Sequence, residues 1–101
     1  MKTVTLCGSM RFSREMMKIA AELELRHGMN VLQCIYDLPG TELSRKELET
    51  LAAAHCRKID LSDAVYVVDL GGYIGDSVRR EIAYAREKGR EVILHTEFCS
   101  R

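Results

Sequence analysis

Apolar positions recur along this chain with two alternating periods. Short apolar runs at residues 2–7, 29–35, 64–70 and 91–95 have the length of strands, and the stretches between them are spaced like helix faces. From residue 12 to about residue 27, Phe12, Met16, Ile19, Ala20 and Leu23 share one face, and Gly28 stands where a left-handed C-terminal cap belongs. A second helix is predicted from Thr41 or Ser44 to about Ile59, with Leu48, Leu51, Ala52, His55 and Ile59 as its apolar face. A third runs from about Ser77 to Lys88, turns Val78, Ile82 and Ala85 inward, and stops at Gly89. Residues 37–40 carry the chain's one proline and read as a turn, and residues 96–101 read as a short tail. The run at 64–70 is apolar almost throughout, which suits a strand covered on both faces.

The order βαβαβαβ, with right-handed crossovers, predicts an α/β fold. It is a three-layer, flavodoxin/Rossmann-like parallel sheet of about four strands, in the order 2-1-3-4, with helices on both faces. A length of 101 residues fits one domain spanning the whole sequence. A domain of this size gains from burial against a partner subunit.

Composition changes this picture little. The 47% hydrophobic content supports a real core, and 15 basic residues balance 15 acidic ones with no long run of either sign. That excludes nucleic acids and anionic membrane surfaces as electrostatic partners. No apolar run approaches the roughly 20 residues that span a bilayer, and the first seven residues carry no signal-peptide pattern. Cys7, Cys34, Cys56 and Cys99 are widely spaced with no CxxC pair. The expectation is therefore a cytoplasmic protein with free thiols, with neither disulfides nor a metal site.

In a sheet of this order the loops after the first and third strands flank the switch point where ligands bind. The first loop is Cys7-Gly8-Ser9-Met10-Arg11. Gly8 permits close approach of a ligand, Ser9 offers a hydroxyl and Arg11 a fixed cation, all suited to a phosphate at a helix N-terminus. Equally, the loop reads as a tight turn with Ser9 as a helix cap and Arg11 in solvent. The second loop, residues 71–77, places Gly71, Gly72 and Gly75 around Tyr73 and ends in Asp76 and Ser77, either of which can cap the third helix. It matches neither GxGxxG nor a Walker A motif.

Glu81 lies three residues after Val78 and four before Ala85, so a carboxylate sits on the edge of an apolar helix face. Such a group carries either a perturbed pKa at an active site or a salt bridge, here to Arg79, Arg86 or Arg57. His55 shares an apolar face too, as a core histidine or a proton donor. Asp37 and Asp69 end the second and third strands at the ligand edge, where each either holds a ribose hydroxyl or merely terminates the strand.

These pieces, in this order, resemble the nucleoside 2-deoxyribosyltransferase-like superfamily, which includes the 2'-deoxynucleoside 5'-phosphate N-hydrolases. The resemblance runs from the first strand to the fourth. Its most specific parts are Cys7-Gly8-Ser9-Met10-Arg11, which matches a phosphate-handling Gly-Ser-Ile-Arg loop, and the segment from Asp63 to Asp69 through Glu81-Ile82-Ala83-Tyr84-Ala85. It implies that Glu81 is the nucleophile of N-glycosidic cleavage or (deoxy)ribosyl transfer. It places His55 where the family carries a supporting aspartate. The loop at 71–77 departs from the family's spacing, and members usually add a helix and a fifth strand beyond the fourth. The resemblance further implies a nucleoside or nucleotide as substrate, no cofactor or metal, and a homodimer whose partner completes the site. The candidate set is then Glu81 and His55 for catalysis, and Gly8, Ser9, Met10, Arg11, Asp37, Asp69, Gly72, Tyr73, Gly75 and Ser77 for substrate binding.

Two other readings remain open on the sequence. A non-catalytic nucleotide sensor would use the same loops, and His55 in place of aspartate favours it. A receiver-like interaction domain needs clustered acidic residues after the first strand, where this chain has Gly-Ser-Met-Arg.

Overall fold

The computed structural model describes residues 1–37 and 39–100. Leu38 of the expected turn and Arg101 of the expected tail lie outside the described residues. The elements are β1 (Thr3–Gly8), α1 (Ser13–His27), β2 (Asn30–Leu32), α2 (Arg45–Asp60), β3 (Ala64–Val68), α3 (Asp76–Glu87), β4 (Glu91–Leu94) and α4 (His95–Cys99), with 3-10 turns at Met10–Phe12 and Leu70–Gly72. The strands form one four-stranded sheet in the order β2-β1-β3-β4, as the pattern predicts. All pairings are parallel, with Val4 opposite Ala64 and Gly8 opposite Val68 between the two central strands.

Strand alternation divides the core in two. Val4, Leu6, Ala64, Tyr66 and Val68 point to the face covered by α1 and by Phe98 of α4. Cys7, Val65 and Val67 point to the other face, where Ile59 of α2 and Val78, Ile82 and Ala85 of α3 meet them. The position of Cys7 on this second face brings it to the site described below. Also on this face, Thr5 is fully buried, its hydroxyl 2.6 Å from that of Ser62.

The helix ends follow local chemistry. Gly28 takes φ 64° and closes α1 with its N–H on the Leu23 carbonyl. Ser44 and Glu47 form a reciprocal capping box, which settles the start of α2 at Ser44 rather than Thr41. Gly75 is the N-cap of α3, so Asp76 and Ser77 lie inside its first turn and neither caps it.

Four expectations need correction. β2 ends at Leu32 rather than Ile35, because beyond that point Lys58 of α2 takes the Gln33 carbonyl at 2.8 Å and Ile35 turns outward. α1 begins at Ser13, since the 3-10 turn at Met10–Phe12 intervenes. The apolar face of α2 is buried only from His55 onward, and Leu48 is 55% exposed because this half of the helix has no core residue against it. The expected tail folds back as α4, because Asp69 accepts from both the Thr96 N–H and its hydroxyl. Among the described residues no helix is long and apolar enough to cross a membrane.

Candidate functional site

A cleft of about 230 Å³ opens where the C-terminal end of β1 meets α2 and α3. Gly8, Ser9 and Met10 form one wall, His55 and Lys58 of α2 another, and Ser77 and Glu81 of α3 a third. Each arrives by a simple rule. The β1 residues are there because a parallel sheet delivers its strand ends to one edge. His55 and Lys58 are three apart and share a helix face, as Ser77 and Glu81 do at four apart. Met10, Ile35 and Leu51 also border a larger, mostly apolar cavity of about 780 Å³, whose lining includes Tyr36, Asp37 and Ser44.

The two residues expected to act in catalysis are brought together. His55 Nε2 lies 3.4 Å from Glu81 Oε1 and 3.4 Å from Cys7 Sγ. His55 is 8% exposed, whereas a quarter of the Glu81 side chain remains open to the cleft. None of the ion pairs among the described residues joins Glu81 to Arg79, Arg86 or Arg57; the His55 imidazole lies beside it instead. Among the described residues no lysine or arginine pairs with this carboxylate. Its field reaches nearby thiols: burial first, and then the Glu81 charge, raise Cys7 well above the ordinary cysteine range and raise Cys34 and Cys56 as well. A neutral thiol is accordingly the state of Cys7 beside the carboxylate at physiological pH.

The proposed binding residues divide. Gly8, Ser9, Met10 and Ser77 line the cleft. A side chain at Gly8 would come within 2.9 Å of Met16 Sδ and 3.2 Å of Val68 Cβ, so packing against α1 and β3 already favours a glycine there. Ser9 Oγ accepts from the Arg11 N–H at 3.4 Å, a long contact that leaves the hydroxyl largely uncommitted.

Arg11, Gly72, Tyr73 and Gly75 do not line the cleft. The Arg11 guanidinium lies 3.8 Å over the Tyr73 ring, which meets Phe12 edge-on at 6.0 Å. Gly71 and Gly72 take positive φ and turn the chain so that Tyr73 reaches Arg11, while Gly75 is extended and backed by the Tyr73 hydroxyl. Asp69 is 4% exposed, with both oxygens engaged by Thr96.

Two cleft participants escaped the sequence reading. Lys58 is the lysine that lines the cleft, and its signal was available as the i+3 neighbour of His55. Cys7 is 1% exposed, and its contact with His55 comes from strand alternation at the end of β1.

No family model matches the chain, and no curated protein does. A solved structure does match. It is the Clostridium botulinum CMP N-glycosidase BcmB, at a TM-score of 0.61 and 20% identity, covering 92% of this chain and 70% of that one. The likeness is one of fold.

Proposed function

We propose that this protein cleaves the N-glycosidic bond of a nucleoside or nucleotide, with Glu81 as nucleophile. The observation that carries the reading is the Glu81 carboxylate in the cleft, beside His55 and, among the described residues, in no ion pair with an arginine or lysine. The fold shared with a protein named as a CMP N-glycosidase supports the same class of reaction. So does the match of Gly8-Ser9-Met10-Arg11 to the loop of the resembling family.

A Glu81 oxygen attacks C1' of the sugar as the bond to the base breaks, and the bonding pair leaves with the base. Positive charge spreads between C1' and the ring oxygen in the transition state, as in retaining glycosidases. His55, in its protonated form, gives the departing nitrogen its proton, and its contact with Glu81 keeps the two groups in register. Water, or a second base, then opens the glycosyl ester at C1' and frees Glu81. Ser9 and Lys58 bind the 5'-phosphate, Ser77 is a further donor, and the Arg11–Tyr73 stack holds the first loop in place. Exposed Leu48 and Ile35 beside the larger cavity support a homodimer as the working form.

The test is chromatography of free base after incubation with a panel of nucleosides and 5'-monophosphates. Base release by the wild type, absent in Glu81→Gln, is the expected result. Turnover by Glu81→Gln sinks the assignment. If no base appears while a nucleotide raises the melting temperature, the protein is a sensor and not an enzyme.

A further inference from the structure

We infer that Cys7, His55 and Glu81 form a binding site for one divalent cation of the zinc class. Cys7 Sγ, His55 Nε2 and a Glu81 oxygen lie within 4.8 Å of one another, contributed by three separate elements. The separations that His55 makes to the other two groups fit metal ligation. Bond lengths of about 2.3 Å to sulfur and about 2.0–2.2 Å to nitrogen and oxygen, at tetrahedral angles, put S···N about 3.5 Å apart and N···O about 3.4 Å apart. The observed separations are 3.4 Å for Cys7 to His55 and 3.4 Å for His55 to Glu81. Nitrogen-to-oxygen hydrogen bonds fall between about 2.7 and 3.2 Å, so the His55–Glu81 contact is long for one.

Donor chemistry selects the ion. One thiolate, one imidazole and one carboxylate make a set that zinc and its neighbours Co²⁺ and Ni²⁺ favour over Mg²⁺ or Ca²⁺, which take oxygen ligands. On binding, Cys7 gives up its thiol proton to solvent, and the resulting two negative charges balance the ion. The buried assembly is then neutral, which avoids the cost of an unpaired interior charge. Three protein ligands leave a fourth position, and His55 and Glu81 both face the cleft, so that position opens toward the same space as a substrate. Its consequence rests on the proposed function: a cation on Glu81 occupies the nucleophile and shuts down base release.

The experiment uses tag-free protein, stripped with a chelator and titrated with Co²⁺, then with Zn²⁺ in competition. The expected result is one equivalent of Co²⁺ with a thiolate-to-cobalt charge-transfer band in the near ultraviolet, lost when Zn²⁺ displaces it. Cys7→Ser removes the band, and His55→Gln weakens binding at least tenfold. Cys34→Ser, Cys56→Ser and Cys99→Ser leave both unchanged. Zn²⁺ raises the wild-type melting temperature and fails to raise that of Cys7→Ser, which separates site loss from misfolding.

Absence of a thiolate band in the wild type, or its survival in Cys7→Ser, overturns the site. Base release assayed on the same samples keeps the two ideas apart. Metal-free protein that releases no base defeats the enzymatic reading and leaves the cobalt result standing. Undiminished base release at saturating Zn²⁺ defeats the inhibitory consequence.

Discussion

Two carboxylates near the C-terminal edge of the sheet have opposite surroundings. Asp69, after β3, is 4% exposed and gives both oxygens to Thr96, at 2.9 Å and 2.7 Å. Glu81, on α3, is open to a cleft, with the His55 imidazole 3.4 Å away. The first carboxylate has its hydrogen-bonding capacity spent on folding, tying α4 to the end of β3. The second has capacity in reserve. A buried acidic residue by itself therefore says nothing about chemistry; what its lone pairs already touch decides between structure and function.

The sharpest way to break this contrast is to remove one charge from each region. Glu81→Gln should lower base release by about a thousandfold or more, since the covalent intermediate is lost, and should move stability by less than about 1 kcal/mol. Steady-state assays beside thermal melts read both. A fall in stability of several kcal/mol would make Glu81 a structural residue like Asp69.

Asp69→Ala should do the reverse. It removes the buried acceptor of the Thr96 N–H and hydroxyl, and because Thr96 itself is exposed to water the cost is about 1–2 kcal/mol. For a chain of this length the melting temperature drops by roughly 5–15 °C. If Asp69→Ala kept its stability yet lost substrate affinity, Asp69 would belong to the ribose site and the contrast would collapse.

A smaller effect distinguishes two cations. Arg11 is occupied by the Tyr73 ring, whereas Lys58 lines the cleft and holds the Gln33 carbonyl through one of its three N–H donors. Lys58→Met should raise KM for 5'-monophosphates by about tenfold, the order expected for one charge-assisted contact, and leave KM for nucleosides nearly unmoved. Equal effects on both substrates would assign the phosphate elsewhere, with Arg11 the next candidate.

What was legible in the sequence follows from the range of the interactions. Strand alternation and helix spacing are local, so the element order and the inward set Val78, Ile82 and Ala85 are legible, and the sheet order 2-1-3-4 follows from the crossover rule for that element order. The end of β2 could not, because Lys58 is 25 residues away from the Gln33 carbonyl it holds. α4 was missed because its anchor, Asp69, is 27 residues from Thr96. The front half of α2 has the period of a buried face but nothing opposite to bury it, and periodicity carries no information on that. At the site, His55 and Glu81 each declared themselves as polar groups on apolar faces. Their approach to each other and to Cys7 is a product of helix placement across the sheet, which no spacing rule supplies.

A third carboxylate, Glu47, gives the smallest and most local test. It is exposed, yet like Asp69 it is committed: Oε1 accepts from the Ser44 N–H at 2.9 Å, and Ser44 Oγ accepts from the Glu47 N–H at 3.1 Å. The Ser44 amide and hydroxyl hold the Glu47 carboxyl below its ordinary range. A carboxyl depressed on folding contributes stability that is fully present above its unfolded pKa, about 4.3, and lost as pH falls through the lower folded value. The stability difference between wild type and Glu47→Gln should thus be constant above about pH 5 and shrink on acidification below about pH 4. Ser44→Ala should cost about 1 kcal/mol at neutral pH through loss of the cap. Urea melts at several pH values measure both. A difference that persisted unchanged at acid pH would mean that the uncharged carboxyl caps α2 as well as the charged one, and that commitment of a carboxylate at the surface, unlike that of Asp69 in the interior, owes little to its charge.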